Sequence, residues 1–80
     1  MFRYVLQHHH EPHECGVVFA AFKGHRSVLR HQQALASCEF GGHAIWWIVE
    51  ASSEQQALGF LPFYLAERTT ATRVSQIEIP

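Results

Sequence analysis

A run of six consecutive apolar residues, Ala44–Val49, constrains the fold of this chain more than any other feature. Successive side chains of a β-strand point to opposite faces, so the run places Trp46 on one face and Trp47 on the other. An antiparallel strand with one face in water should alternate apolar and polar residues, and this one does not. The run is also far shorter than the roughly 18–20 residues that cross a bilayer. It therefore predicts a central strand of a sheet whose two faces are both covered.

The segments before and around this run have strand-like and helix-like patterns. Phe2–His8 alternates with period two, as strands do, and Pro12–Lys23 carries an apolar stripe of helical spacing. Pro is tolerated at the first helical position, so we expect that helix to begin at Pro12. Leu35–Phe40 and His43–Ala51 are strand-like and flank Gly41-Gly42. Two glycines between two strands predict a two-residue hairpin turn.

The last third of the chain completes the order of elements. Ser52 and Ser53 form a capping-box pattern before a second helix, which Pro62 should split into two pieces. Thr69–Val74 leads into a last strand. The order predicts one domain, residues 1–80, of the α+β class. The expected architecture is ferredoxin-like βαββαβ, a four-stranded antiparallel sheet with two helices on one face and the first and third strands in the centre.

One face of this expected sheet has no cover in a monomer. The two helices would cover one side of the apolar strand, and a second copy of the chain is the simplest cover for the other side. A chain of 80 residues buries only about 60% of its unfolded surface. Domains of this size are therefore commonly stabilised by a partner subunit or a bound metal. We therefore predict a homodimer. The alternative is that the loop His25–Gln33 alone covers the second tryptophan.

Histidine is unusually frequent, with seven in 80 residues, whereas Asp and Asn are absent. The net charge of −1 and the charged fraction of 16% exclude a disordered chain and argue against nucleic-acid binding. Without Asp and Asn, carboxylate-rich calcium or magnesium sites are disfavoured, and no Ser-His-Asp or Cys-His-Asn triad can be built. The two cysteines form no Cys-x-x-Cys pair and no signal-peptide pattern precedes them. Free thiols and a cytoplasmic location are expected.

In the expected topology, most histidines converge on one rim of the sheet, where the first strand ends and the central hairpin turns. His8 and His10 share a face of the first strand. Cys38 lies diagonally opposite His43 across the hairpin, within reach of a shared ion. Imidazole, thiolate and carboxylate groups suit a transition metal, with nickel or zinc favoured. The predicted metal ligands are His8, His10, Glu14, Cys38 and His43.

These groups also have a purely structural interpretation. Cys15, at the same rim, falls on the apolar stripe of the first helix with Val18 and Phe22, as a small buried hydrophobe would. The negative charge of Glu14 near the helix N-terminus can be explained by its favourable interaction with the helix dipole alone. The three adjacent histidines can be an ordinary polar strand end, and His9 is expected to point into solvent.

Three short patterns also give the chain a family resemblance. They are His8…His10-Glu11-Pro12, Cys38…Gly41-Gly42-His43, and Trp46-Trp47-Ile48-Val49-Glu50-Ala51 before a Ser-capped helix. In these patterns the chain resembles small bacterial ferredoxin-like domains, among them nickel-binding members of the dimeric α/β-barrel type. That resemblance implies a homodimer and a transition-metal site built from first-strand histidines, carried onto His8, His10 and His43. Such proteins often have a first helix longer than Pro12–Lys23.

Two further functions stay open. Dimeric α/β-barrel proteins include isomerases and monooxygenases, so the alternative is a small-molecule-binding enzyme with a histidine as general base. Its apolar pocket would be lined by Trp46 and Trp47 as ligand-binding or cofactor-binding residues, with Phe60, Phe63 and Tyr64 beside them. The third possibility is a dimeric partner module without chemistry. The expected partners are a second copy of the chain and a metal ion, with neither nucleic acid nor membrane.

Overall fold

The computed structural model describes all 80 residues, Met1–Pro80. It contains four strands and three short α-helices, with two single 3₁₀ turns at Pro12–Glu14 and Cys38–Phe40. In chain order the elements are β1 (Phe2–His9), α1 (Cys15–Ala20), β2 (Leu35–Ala36), β3 (Ala44–Ala51), α2 (Glu54–Leu58), α3 (Phe63–Ala66) and β4 (Thr69–Val74). None of these helices has the length and apolar character needed to cross a membrane.

The strands form one antiparallel sheet in the order β2-β3-β1-β4. β3, which contains the apolar run, lies at the centre beside β1. Its register places Ile45 opposite His8 and Val49 opposite Tyr4. On the other side of β1, Thr69 lies opposite His8. This register brings the last residues of β1 next to the first residues of both β3 and β4.

The predicted ferredoxin-like βαββαβ arrangement, with two helices packed on one face, is wrong. The segment expected to be one helix from Pro12 to Lys23 is a 3₁₀ turn followed by only six residues of α1. The second helix is split into two separate helices of five and four residues, as expected from Pro62. Pro62, the residue before α3, has no N–H to donate and its fixed φ suits an extended connection, so the helix cannot run through it.

The predicted central hairpin also differs from the observed one. β2 ends at Ala36, and the residues expected to continue it form the 3₁₀ turn Cys38–Phe40. The pairing closest to the turn joins Ser37 to Ala44. The N–H of Ser37 donates to the carbonyl of Ala44, and the N–H of Ala44 donates to the hydroxyl oxygen of Ser37. The loop between the strands therefore has six residues, 38–43, and Phe40 does not pair with His43.

The hydrophobic core lies between one face of the sheet and the short helices. Leu6 and Ile45 from the sheet pack with Val18 of α1 and Leu65 of α3, and each of these side chains is at most 1% exposed. Trp47 closes the core beside the Phe22 ring, with 6.2 Å between the ring centroids. His8 and His10 continue this buried face beyond Leu6. The core is thus apolar along most of β1 and becomes imidazole-rich at one end.

The opposite face of the sheet is only partly covered within the chain. Val5 and Trp46 are half-buried there, while Ile48 is 68% exposed and Leu35 is 72% exposed. The apolar run of β3 is therefore fully covered on one face and only partly covered on the other. The homodimer expected to cover the second face stays a prediction.

Candidate metal centre

Four side chains from distant parts of the chain meet at the histidine-rich end of the sheet. They are His10, Cys15, Cys38 and His43. Each offers one atom able to ligate a metal, and these four atoms all lie within 4.8 Å of one another. The imidazole of His10 is buried, and the other three residues are half-buried. Such a set of two imidazole nitrogens and two sulfurs is a common ligand set for a transition metal.

The first half of the cluster is the segment from His10 to Cys15. His10 follows the last residue of β1, and a 3₁₀ turn then carries the chain to Cys15, the first residue of α1. The turn is held by the N–H of Glu14, which donates to the carbonyl of Glu11 at 2.9 Å, and by the N–H of Glu11, which donates to the Glu14 carboxylate at 3.0 Å. These bonds fold the chain back, so Cys15 Sγ lies 3.3 Å from His10 Nε2.

The second half of the cluster is the loop from Cys38 to His43. Its base is closed by the Ser37 side chain, whose Oγ accepts from the N–H of Ala44 at 3.1 Å. Gly41 has a φ of +84°, a conformation that glycine adopts without steric cost. His43 itself has a φ of +49°, which is uncommon for a residue with a Cβ. Strained backbone of this kind is concentrated at functional sites, where the rest of the structure holds it in place.

The two halves are joined by backbone as well as by side chains. The N–H of His10 donates to the carbonyl of His43 at 3.1 Å, so the two segments run side by side. Cys15 Sγ lies 3.2 Å from His43 Nδ1, and Cys38 Sγ lies 3.6 Å from His10 Nε2. The four ligand atoms therefore surround a common centre.

The electrostatics of the cluster favour neutral imidazole. Burial lowers the pKa of His10, and the neighbouring His43 lowers it further, against an opposing influence of the Glu14 carboxylate. Burial raises the pKa of the Cys38 thiol, and the second thiol at Cys15 adds to the rise. A cation at the centre would reverse the second effect, because a metal stabilises the thiolate that it binds.

His8 lies behind this cluster, not in it. Its side chain is fully buried, and its ring centroid is 5.3 Å from that of His10. Its Nδ1 lies 3.1 Å from the hydroxyl oxygen of Thr69, which points it away from the two thiols. Burial lowers the pKa of His8, and His10 contributes to the decrease.

Glu14 is also directed away from the four ligand atoms. Its carboxylate accepts a hydrogen bond from the Tyr64 hydroxyl and lies 3.7 Å from Nε of Arg68. The bond to Tyr64 holds the pKa of Glu14 below its usual range, and the same bond raises the pKa of Tyr64. The guanidinium of Arg68 stacks on the Tyr64 ring at 4.0 Å. Glu14 thus ties the 3₁₀ turn to α3.

Of the aromatic residues predicted to line one pocket, Trp46 and Trp47 share a cleft and the other three do not. A cleft of about 460 Å³ is lined by both tryptophans, and another of about 360 Å³ is lined by Trp47 without Trp46. Phe60 packs against the core, Phe63 is 79% exposed, and Tyr64 is engaged with Glu14; none of the three lines either cleft.

The remaining histidines have separate environments. His9 is exposed and its Nε2 lies 2.8 Å from the Gln7 side chain, and His13 is exposed on the 3₁₀ turn. His25 lies 3.3 Å from the carbonyl of Phe60. His31 has a φ of +65° and lines the cleft beside Trp47.

Cys15 is the member of the cluster that the helical pattern concealed. Its signal in the sequence is a mirrored spacing, His-x₄-Cys followed by Cys-x₄-His. Each half places a histidine and a cysteine five positions apart, which a single tight turn can bring together. The two segments with this spacing run from His10 to Cys15 and from Cys38 to His43.

Comparison with protein families, with curated proteins and with solved structures finds no match for this chain. The resemblance to nickel-binding domains therefore stays a prediction from short sequence patterns. The geometry of the four ligand atoms is the main basis for assigning a function.

Proposed function

We propose that this chain is a small zinc-binding domain whose four ligands are His10, Cys15, Cys38 and His43. The observation that carries the proposal is the convergence of two imidazole nitrogens and two thiol sulfurs within 4.8 Å of one another. Three of these residues, His10, Cys38 and His43, were predicted as ligands from the sequence, and Cys15 completes the set. The chemical class is transition-metal binding, and zinc is the specific metal proposed.

The spacing of the ligand atoms supports this assignment. A tetrahedral zinc with bonds of about 2.3 Å to sulfur and 2.0–2.1 Å to nitrogen places its ligand atoms roughly 3.3–3.8 Å apart. The three nitrogen–sulfur separations that join the cluster are 3.2, 3.3 and 3.6 Å. These separations are already close to the tetrahedral range, and the widest-spaced ligand atoms, within 4.8 Å of each other, must approach by at most about 1–1.5 Å to bind an ion.

A structural role for the metal follows from the ligand count and from the small core. Four protein ligands close a tetrahedral site, whereas catalytic zinc keeps one position open for water or substrate. Only 15 of the 80 residues are buried, and the two halves of the cluster are separated by a long connection in which residues 21–34 form no helix or strand. Zinc would join these halves, as metals do in other domains with little core.

Nickel is the other metal favoured from the sequence. A set of two sulfurs and two nitrogens with tetrahedral geometry selects zinc, whereas nickel prefers a square-planar arrangement. Direct competition between the two ions is the relevant measurement. Because the ligating thiols must stay reduced, the cytoplasmic location predicted from the sequence agrees with this function.

A homodimer remains part of the proposal. The open face of the sheet presents Val5, Leu35, Trp46 and Ile48 as a continuous apolar surface. At its end, Arg3 and Glu50 lie opposite each other in the register of β1 and β3. Two such faces packed with their strands parallel, about a twofold axis between β1 and β3, would bring Arg3 of each copy towards Glu50 of the other, which favours a second copy as the occupant.

Metal analysis of untagged protein, purified under reducing conditions, tests the zinc site. We expect one zinc per chain, and a cobalt-substituted protein with the absorption bands of tetrahedral Co²⁺ and of thiolate-to-cobalt charge transfer. Cys15→Ser and Cys38→Ser should each remove the charge-transfer intensity from one thiolate and weaken binding. His13→Ala is the matched control, since His13 lies between two ligands but outside the cluster. Substoichiometric metal together with an octahedral cobalt spectrum would refute the proposal.

A further inference from the structure

Two buried imidazole nitrogens lie behind the proposed metal ligands without any hydrogen-bond partner. They are Nε2 of His8 and Nδ1 of His10. A buried polar atom that is left unpaired costs roughly 1–3 kcal/mol. The two rings lie on the same face of the first strand, with centroids 5.3 Å apart and planes inclined by 34°. Their protonation states decide whether they can pair with each other.

The protonation state of His8 follows from its contact with Thr69. The hydroxyl of Thr69 donates its single hydrogen to the carbonyl of Leu65 at 2.6 Å, because a carbonyl can only accept. The Thr69 oxygen can therefore only accept from His8 Nδ1, which lies 3.1 Å away. Neutral His8 then carries its hydrogen on Nδ1. Its Nε2 is left as a lone-pair acceptor facing the interior.

The protonation state of His10 follows from the cluster. Its Nε2 lies 3.3 and 3.6 Å from the two sulfurs, and it is the atom that would bind a metal through its lone pair. The hydrogen of the neutral ring must then be on Nδ1. The unpartnered Nδ1 of His10 is thus a donor, and the unpartnered Nε2 of His8 is an acceptor.

We propose that His10 Nδ1–H donates to His8 Nε2 in the metal-loaded protein, directly or through one bound water, and that His8 and Thr69 are positioning residues for the metal ligand. The resulting chain runs from the metal through His10, His8 and Thr69 to the carbonyl of Leu65. This inference rests on the zinc site proposed above. Metal-bound histidines commonly donate their second N–H in this way, and loss of such a partner weakens binding by about 10- to 100-fold.

The position of the relay in the fold gives it a further consequence. Thr69 is the first residue of β4, and Leu65 belongs to α3, so the relay connects the metal to the C-terminal third of the chain. The four ligands themselves lie only in the first 43 residues. Metal binding should therefore order the junction between α3 and β4 as well as the ligand loops.

Nuclear magnetic resonance of ¹⁵N-labelled zinc protein tests the relay directly. Long-range ¹H–¹⁵N correlations should show the hydrogen on Nδ1 in both His8 and His10, and a zinc-bound Nε2 in His10. A His8 ring that carries its hydrogen on Nε2, or on both nitrogens at neutral pH, overturns the inference. This measurement uses the native sequence and does not depend on any variant folding.

Substitution of Thr69 supplies the second test. Thr69→Val keeps the shape of the side chain but removes the acceptor, so zinc affinity in a chelator competition should fall about 10- to 100-fold. Thr69→Ser should restore it. Thr70→Val is the matched control, because Thr70 is the adjacent residue on the exposed face.

The outcomes separate the relay from the zinc site itself. If the native protein binds zinc with tetrahedral geometry and Thr69→Val binds it as tightly as Thr70→Val, the relay is refuted and the zinc site stands. If the native protein binds no zinc, the proposed function fails and the relay fails with it. A weakened Thr69→Val that Thr69→Ser does not rescue also contradicts the relay, since packing alone would then explain the loss.

Discussion

The backbone N–H of His10 donates to the backbone carbonyl of His43 at 3.1 Å, and the two imidazole rings meet edge to face with centroids 5.6 Å apart. This bond extends the pairing of β1 and β3 by one step beyond the last regular strand residues. It sets the distance between two proposed ligands without any metal. The site is thus partly preformed by the sheet, and a metal has only to draw the four ligand atoms closer together.

Zinc should raise the thermal stability of the chain strongly. Binding only to the folded state at about 1,000 times Kd contributes about 4 kcal/mol, which corresponds to a rise in Tm of roughly 15–30 °C for a domain of this size. Calorimetry with and without a chelator measures the shift. Cys38→Ser should abolish most of it, while His13→Ala should keep it. An equal Tm for loaded and chelated native protein would contradict the structural role of the metal.

Gly42→Ala should damage the second half of the cluster. A Cβ at Gly42 would lie 2.8 Å from Cβ of Ser37 and would clash with the Ser37 hydroxyl. Ser37 would have to rotate away and lose its bond to the N–H of Ala44, at a cost of roughly 1–3 kcal/mol. Urea unfolding of the metal-free protein measures the loss.

Gly16→Ala is the matched control for that substitution. Gly16 lies inside α1, and a Cβ there meets nothing within 4 Å. Alanine in a helix interior is favoured over glycine by roughly 0.5–1 kcal/mol, so this variant should be slightly more stable. If both alanine variants change stability by the same amount and in the same direction, the Ser37 contact is not important.

The metal-free protein should lose stability as the pH falls through the ordinary histidine range. Burial lowers the pKa of both His8 and His10 in the folded state, so the unfolded chain binds more protons below about pH 6.5. Stability is then fully present above that pH and decreases towards pH 5. The urea midpoint at pH 7.5 and pH 5.5, in the presence of chelator, measures this.

A substitution at His8 isolates its part of the pH dependence. His8→Gln removes one of the two buried groups and should flatten the dependence between pH 7.5 and pH 5.5. His13→Gln should leave it unchanged, because His13 is exposed and its charge does not act on His8 or His10. If both substitutions change the pH dependence of stability equally, surface charge and not burial would be its cause.

Glu14→Gln should leave the metal site intact. The carboxylate, although predicted as a ligand, is held by Tyr64 and Arg68 and faces away from the cluster. We expect unchanged zinc stoichiometry and an unchanged cobalt spectrum, whereas His10→Ala should lose the tetrahedral bands. A cobalt spectrum altered by Glu14→Gln would instead make Glu14 a ligand.

The homodimer is tested by sedimentation at micromolar concentration. The native chain should sediment at twice its mass of 9.2 kDa. Ile48→Glu places a charge at the centre of the open face and should yield the single-chain species. Phe63→Glu is the control, since Phe63 is an exposed apolar residue on α3 away from that face. A native protein that sediments at 9.2 kDa at all concentrations tested would end the dimer hypothesis.

Some features of the site could be predicted from local pattern because period two survives in any strand. His8 and His10 share the buried face as alternation requires, and the apolar run does form the central strand. Cys15 could not be assigned in this way. Its helical stripe was counted from Cys15 through Val18 and Phe19 to Phe22, but α1 ends at Ala20 and Val18 is its only buried residue. Cys15, at the first position of α1, contacts the two histidines instead of the core, and Phe19 is left 54% exposed.

The sequence by itself determined which chemistry is available: imidazoles and two thiols, no Asp, and a mirrored pair of histidine and cysteine spacings. It also determined the central strand, because a continuous apolar run must be buried on at least one face. Only the tertiary structure decided which histidines share the site. The bond between His10 and His43, and the approach of each cysteine to the histidine of the other half, join residues at least 28 positions apart. No local periodicity encodes such contacts, because they form only when the strands pair.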